Sequence, residues 1–357
     1  MSVLLRVVLD QTAQVVDADQ ARAALSLTAG LVTTAPRGCA VAALVPSGAE
    51  LSLSGVQDVR ALPLARRELA AAWQMGLAPG VGGGLLHAPT LMAPLVRHDR
   101  ANDNHQITVT LWDLCAWETP DSLPKAQVVW QRAMLKRAVR HADAVIVPSH
   151  AMAERLGEIA QFGDRIRVIA GAPPEGLRVG EDAAQRRMRL QLPERYVVVT
   201  GEGDSLAPGF RAVVRTQADA VVVDAAEGSE PALADVAAAA GLPEHRVHVR
   251  GRLDDDDRAA VIGGAAAQIA TSRRSSWPWR TVEAMALGTP VVAVDSGVHQ
   301  DVVADGGAVV DAADLEDATA DALESGERRL RVLASDRARA FSWASSAERL
   351  WALHAEL

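Results

Sequence analysis

The sequence predicts an α/β protein of two parallel-sheet domains in tandem, each Rossmann-like, and three observations carry that expectation. Short β-branched runs alternate with Ala- and Leu-rich stretches, the pattern of a parallel sheet covered by helices on both faces. The alternation pauses over a polar, glycine-containing stretch from Pro173 to Glu194 and restarts at Arg195. The length of 357 residues suits two domains of about 100–200 residues each.

In the first half, Val3–Leu9 and Cys39–Val45 are expected strands around a helix near Asp19–Thr34. Gln106–Leu111 and Ala144–Val147 follow, the latter after a helix around Lys125–Ala142, and Arg165–Ile169 closes the half. The second half offers Arg195–Thr200, Ala220–Val223, Val247–Val249, Gln268–Ala270 and Pro290–Val294, with Gly307–Val310 as a last short strand. The expected domains are therefore residues 1–178 and 190–340. Beyond them, Trp343, Ala347, Leu350, Trp351 and His354 recur at spacings of three and four, so 341–357 reads as an amphipathic helix.

Composition narrows the function classes. Hydrophobic residues make up 49% and charged residues 23%, ample for a folded core. A formal net charge of −9 argues against a nucleic-acid binder that neutralises many phosphates. Cys39 and Cys115 are the two cysteines, without ligand spacing to histidine, so no zinc or other metal site is expected. Met1–Leu9 is too short for a secretion signal and reads as a buried strand, and no apolar run of about 18 residues would span a bilayer. A cytoplasmic location with reduced thiols follows.

Three local patterns have plainer readings than the sharp ones they suggest. Gly80–Gly84 lacks the Lys-Ser/Thr of a phosphate loop and reads as a flexible loop. Asp254–Asp257 reads as acids at a helix start, favoured by the helix dipole, rather than as metal ligands. Arg60, Arg66 and Arg67 beside Leu62, Leu64, Leu69 and Trp73 read as an ordinary domain helix; a docking face for the inner side of the membrane is the alternative.

Several segments, taken in order, resemble the family 4 retaining glycosyltransferases. The most specific is TSRRSSWPWRTVEAMALGTPVVAVDSG, where Glu283-Ala284-Met285-Ala286 and Gly288 to Val292 follow the family's EAMA-x-G-x-PVV run. Val249–Leu253, with the acidic helix start after it, is similar to the family's base-binding turn. LLHAPTLMAPL, VTLWDL and ADAVIVPSHAMAERL resemble its first-half blocks, and FSWASSAERLWALHAEL its terminal helix, which packs back on the first domain.

The resemblance implies the GT-B fold, two Rossmann-like domains facing across a cleft. It also implies transfer of a hexose from a UDP- or GDP-hexose to an unidentified glycan or lipid-linked acceptor, with retention and no required metal or other cofactor. Glu283 would hold the ribose and Gly251, Arg252 and Leu253 the base. Ser276, Trp277, Thr281 and Val282 would line the donor, Ser275 would face the sugar, and His87 and Asp113 the acceptor. Physical chemistry supports part of this, since backbone N–H groups and the dipole at a helix start near Arg280–Glu283 suit a diphosphate. A carboxylate one turn in can accept hydrogen bonds from vicinal ribose hydroxyls. The plainer readings are a dipole-stabilising Glu283, a capping Asp113 and a structural His87.

Departures from the family pattern point the other way. Ser275 stands eight positions before Glu283, where the family's first Glu belongs, and Ser276 to Arg280 replace a glycine-rich stretch. Glu202, Asp204, Ser205, Leu206 and Ala207 occupy the turn where it has an Arg and a Lys for the diphosphate; Arg211, Arg273 and Arg274 are the candidate substitutes, with solvated surface charge as their plainer reading. The stretch from Gln14 to Gln20 has no glycine, and Trp112 stands in place of a sugar-lining His. The alternative is thus a pseudo-glycosyltransferase that scaffolds or activates a partner glycosyltransferase.

Overall fold

The computed structural model describes residues 3–99 and 104–357; Met1 and Ser2, where the expected first domain begins, lie outside the described residues. It forms two compact units, one of residues 1–172, 275–277 and 342–357, the other of 173–274 and 278–341.

The first unit runs β1 (Val3–Val8), α1 (Ala18–Thr33), β2 (Cys39–Val45), β3 (Asp58–Ala61), α2 (Arg66–Gln74), β4 (Leu85–Ala88), β5 (Gln106–Thr110), α3 (Cys115–Glu118), α4 (Lys125–His141), β6 (Ala144–Val147), α5 (His150–Ile159) and β7 (Ile166–Val168). Its sheet is seven-stranded in the order β3-β2-β1-β4-β5-β6-β7, with every pair parallel. Two strands escape the sequence reading. All four residues of β3 are exposed, so this edge strand carries no hydrophobic signature, and β4 is a four-residue strand directly behind the glycine loop.

The second unit holds α6 (Ala183–Arg189), β8 (Tyr196–Thr200), α7 (Ala207–Val214), β9 (Asp219–Val222), α8 (Glu230–Ala239), β10 (Val247–Val249), α9 (Asp255–Gly263), β11 (Gln268–Ala270), α10 (Trp279–Ala286), β12 (Val291–Val294), α11 (Gly297–Val302), β13 (Ala308–Val310), α12 (Leu315–Leu323) and α13 (Glu327–Ala338). Its six parallel strands run β10-β9-β8-β11-β12-β13. The alternation within β8 shows why the sheet is covered on both sides: Val197 and Val199 join Phe210, Ile269 and Val292 in one core, while Tyr196 and Val198 join Val221 and Val261 in another. The polar stretch before β8 contains a helix, because Arg186 of α6 pairs with Asp182 at its own start and with Asp256 and Asp257 of α9.

The terminal helix α14 (Trp343–Glu356) belongs to the first unit, capped by Ser342, whose hydroxyl accepts from Ser345 N. It lies so close to α1 that a Cβ on Gly30 would sit 2.7 Å from Trp343 O, and Trp351 Nε1 donates to Leu31 O. Arg66 pairs with the buried Asp10, while Leu62, Leu69 and Trp73 are buried, so that apolar face is domain core. Among the described residues no helix is long and apolar enough to cross a membrane.

Candidate functional site

In each unit the strand order reverses once, between β1 and β4 and between β8 and β11, and the carboxyl ends of the strands at such a point are where α/β folds bind ligands. In the second unit this edge begins with Gly201. A Cβ there would meet Thr271 Oγ1 at 2.3 Å and Ser205 Oγ at 2.8 Å, so the turn leaving β8 tolerates no side chain. Glu202 N donates to Ser205 Oγ at 2.7 Å, which fixes the turn. The Glu202 carboxylate accepts from Ser272 Oγ at 3.1 Å and lies 3.5 Å from Arg274 Nε. Arg274, a candidate substitute cation, is therefore paired with an acid, while Arg211 and Arg273 are exposed.

Glu283 is the fifth residue of α10 and is only 2% exposed. Its Oε2 accepts from Arg258 Nε at 2.9 Å, and its Oε1 lies 2.7 Å from Arg280 Nη1. Arg280 also donates to Asp224, at the end of β9, and Asp224 holds a left-handed φ of 58°. Arg258, 1% exposed, donates to Asp255 at 2.8 Å and to Leu253 O at 3.4 Å. Acid and base thus alternate from Asp224 through Arg280, Glu283 and Arg258 to Asp255. In low-dielectric surroundings such alternation keeps each buried charge compensated.

Glu283 is thus a buried carboxylate held by two guanidinium groups. Thr281 and Val282 are buried, and their N–H groups both donate to Pro278 O, so they are not open donors at a helix start. Gly251 and Arg252 are exposed at the end of β10, and Leu253 reaches Glu283 through Arg258.

In the first unit, Ser275, Ser276 and Trp277 lie antiparallel to Trp112–Leu114. Trp277 N donates to Trp112 O at 2.8 Å, Leu114 N donates to Ser275 O at 3.0 Å, and Asp113 bridges Ser276. Asp113 is thereby brought beside the predicted segment Ser275, Ser276 and Trp277, from which it is remote in sequence. Asp113 caps Cys115 N at 3.0 Å and accepts from Gln20 Nε2 at 3.2 Å. It lines a small recess with Gln20, Thr90, Trp112 and Gln131. Beneath it, Thr90 Oγ1 donates to Asp10, whose carboxyl burial pushes above its usual range against the opposing pull of Arg66.

Sequence reasoning missed Glu118. Its carboxylate takes Ser275 N at 2.8 Å and Ser275 Oγ at 2.7 Å, and Arg155 Nε approaches at 3.2 Å. Nothing in the local sequence CAWE marks it, since its partner lies 157 positions away. Trp277 is buried, packed with Trp112 onto Gly171, where a Cβ would lie 2.8 Å from Trp277 Nε1 and 3.0 Å from the Trp112 ring.

His87 is completely buried on β4, with Nδ1 2.9 Å from Thr108 Oγ1, which in turn is 3.2 Å from His354 Nε2. His354 Nδ1 meets Gln106 Oε1 at 3.0 Å. Burial, helped by the neighbouring His354, pushes His87 down to about 3, and burial pushes His354 down to about 4. Both rings are neutral, and through Thr108 they tie α14 to the sheet.

The matches to known proteins converge on this architecture. Residues 203–325, about a third of the chain, match the family described as glycosyl transferases group 1. No curated protein sequence matches the chain. Among solved structures, sucrose-phosphate synthase from Thermosynechococcus elongatus superposes with a TM-score of 0.69 at 19% identity, over 99% of this chain and 98% of that one. HepE of Anabaena, in complex with UDP and glucose, gives 0.65 at 17% identity over 100% of both chains. The catalytic domain of starch synthase IV from Arabidopsis thaliana, bound to ADP and acarbose, gives 0.64 at 13% over 99% of both. The two parallel sheets with flanking helices are the GT-B fold of glycosyltransferase structures, and the second unit carries the group 1 glycosyl transferase match.

Proposed function

We propose that the protein is a retaining glycosyltransferase of the family 4 type, moving a hexose from a UDP- or GDP-hexose to a glycan or lipid-linked acceptor. The observation that carries this reading is the group 1 match over 203–325, which begins just after β8 and includes β11 and the Glu283 block. The donor class rests on the GT-B structures just described, of which HepE holds UDP and glucose and starch synthase IV holds ADP. In this reading Gly251–Leu253 meet the base and Glu283 the ribose hydroxyls. A carboxylate oxygen accepting one N–H retains a second lone pair for a hydroxyl, so arginine pairing orients Glu283 without exhausting it. Arg280, at the start of α10, is the cation nearest a diphosphate in this scheme, and the Asp113 recess is the proposed acceptor pocket.

A second reading, a pseudo-glycosyltransferase that scaffolds or activates a partner enzyme, is favoured by one specific observation. The turn after β8 presents Glu202 and Asp204, and the nearby Arg274 is paired with Glu202. A departing diphosphate gains negative charge, and stabilising that gain is the largest part of such catalysis. Calorimetry with UDP, GDP and their hexoses decides between the two. Binding with slow donor hydrolysis supports the enzyme. Complete absence of binding, with activity appearing only when a second glycosyltransferase is added, supports the scaffold.

A further inference from the structure

The Asp113 recess shares Thr110 and Trp112 with an adjoining slot, which His87 of β4 and Trp343 and Ser346 of α14 also line. Which nitrogen of each histidine carries a proton follows from its partners. His354 Nδ1 faces an acceptor, Gln106 Oε1 at 3.0 Å, so in this neutral ring Nδ1 holds the proton. His354 Nε2 is then a lone pair and takes the hydroxyl hydrogen of Thr108 at 3.2 Å. Thr108 Oγ1, having donated, accepts from His87 Nδ1 at 2.9 Å. Burial and His354 hold His87 down to about 3, so its ring has a single proton and Nε2 is a bare acceptor. That nitrogen is fully buried and has no partner among the described residues. A buried acceptor of this kind calls for an O–H or N–H.

The recess has the same bias. Among the described residues no lysine, arginine or histidine lines it. Asp113 takes Cys115 N on one oxygen and Gln20 Nε2 on the other, so each oxygen keeps a lone pair. Thr110, 2% exposed, and Gln131 make no side-chain hydrogen bond among the described residues. The surrounding field is negative. Burial pushes the Asp17 carboxyl above its usual range, and the charges of Asp19 and Asp113 add to that against the pull of the Gln20 amide. The charge on Asp113 thus reaches the start of α1. Resting on the reading of this recess as the acceptor pocket, we propose that it selects acceptors by their hydrogen-bond donors, taking uncharged or amine-bearing sugars and excluding those phosphorylated at the end that enters. Hydroxyl and ammonium hydrogens match the lone pairs of Asp113 and His87, whereas a phosphate brings acceptors and like charge.

The test is a titration of the full chain, labelled with nitrogen-15 in its glutamine amides and histidine rings, with glucosamine, glucose and glucose 6-phosphate in turn. UDP or GDP is present throughout, and calorimetry runs in parallel. The Gln20 and Gln131 amide signals are expected to move with glucosamine and glucose, and glucose 6-phosphate is expected to need about tenfold more or higher than glucosamine for the same shift. The His87 ring is expected to be protonated on Nδ1 and bare on Nε2. Asp113→Asn, which keeps the shape and removes the charge, is expected to bring the phosphate within about threefold of glucose. Binding of glucose 6-phosphate as tight as that of glucosamine, a His87 proton on Nε2, or no response to any of the three sugars would each overturn the proposal. The two levels of failure are distinct. If calorimetry shows sugar binding while both glutamine signals stay still and Asp113→Asn changes nothing, the acceptor enters elsewhere and the acceptor-pocket reading falls with the proposal. If the glutamine signals move alike for all three sugars, the pocket stands and the selectivity alone is wrong.

Discussion

Arg258 and Glu283 form a buried pair whose energetics can be worked from the structure. Arg258 is 1% and Glu283 2% exposed, with Nε and Oε2 2.9 Å apart. Removing one member of such a pair typically costs about 3–5 kcal/mol, because the survivor keeps its desolvation penalty without its counter-ion. Here Arg280 still meets the other Glu283 oxygen at 2.7 Å, so Arg258→Met should fall at the low end, about 2–4 kcal/mol. Glu283→Gln preserves shape and leaves the guanidinium groups their partners Asp255 and Asp224, so about 1–3 kcal/mol is expected. The double variant should cost less than the sum by about 1–3 kcal/mol, the coupling of directly bonded neighbours. Since a chain of two units need not unfold in one step, the readout is hydrogen exchange across α9 and α10 in urea. Costs that add to within about 0.5 kcal/mol would refute the pairing. The same set tests function: Glu283→Ala is expected to weaken UDP or GDP binding by about 1–3 kcal/mol, and unchanged affinity in a folded variant would leave Glu283 a purely structural role.

Three further outcomes are expected. Because His87 and His354 are held neutral, the unfolded chain binds protons below about pH 6.5 that the folded chain refuses, so their contribution is full above that pH and is lost on acidification toward about pH 4, at up to roughly 1.4 kcal/mol per pH unit for each ring. Asp10, raised by burial, opposes this at the acid end, and His299, held down by burial, adds to it; the slope of urea midpoints across that range should fall in His87→Asn/His354→Gln, and an unchanged slope would refute the assignment. Gly201→Ala should destabilise the second unit by about 1–3 kcal/mol, with partial rescue by Thr271→Ala, since its methyl would meet Thr271 Oγ1 at 2.3 Å; a neutral effect on unfolding would contradict the packing. Turnover of common UDP- or GDP-hexoses by the isolated protein should be weak, because Glu202 and Asp204 rather than cations follow β8 and losing one electrostatic contact to a departing diphosphate costs about 10²–10³ in rate; brisk transfer in a coupled assay would refute this.

The sheets were legible because buried parallel strands announce themselves by composition. Cys39–Val45, Ala144–Val147, Val247–Val249 and Gln268–Ala270 have the bounds expected from the sequence. Asp58–Ala61 was not legible, since an exposed edge strand has no apolar run to read. The site was legible in part. The sequence singles out Glu283 but cannot show that Arg258 and Arg280 close on it, because a helix-borne arginine reads alike whether it faces solvent or a buried acid. His87 illustrates the converse: the family resemblance suggested an acceptor-facing residue and the residue itself a structural histidine, and its neighbours Thr108 and His354 lie 21 and 267 positions away.

The departures from the glycosyltransferase pattern are not independent of one another in three dimensions. Trp112 and the Ser275–Trp277 segment looked like two separate losses, yet they form one structure. Trp277 N donates to Trp112 O, both indoles seat on Gly171, and Trp112 stacks edge-on against Trp343 at 6.3 Å between ring centroids. A smaller residue at 112 would leave Trp277 facing a void, and a glycine at 277 would strip Trp112 of its neighbour, so the two changes are stable only together. Ser275 belongs to the same unit of change. A glutamate there would place a carboxylate against Glu118, which now receives the Ser275 amide and hydroxyl, and two acids in hydrogen-bonding range repel. Ser275→Glu should therefore fail to restore a family-like site in the native background, whereas Ser275→Glu with Glu118→Gln removes the repulsion. If donor hydrolysis rises in the double variant and not in the single one, the segment is a rebuilt catalytic edge. If neither variant gains activity while both remain folded, the segment serves packing alone and the scaffold reading gains.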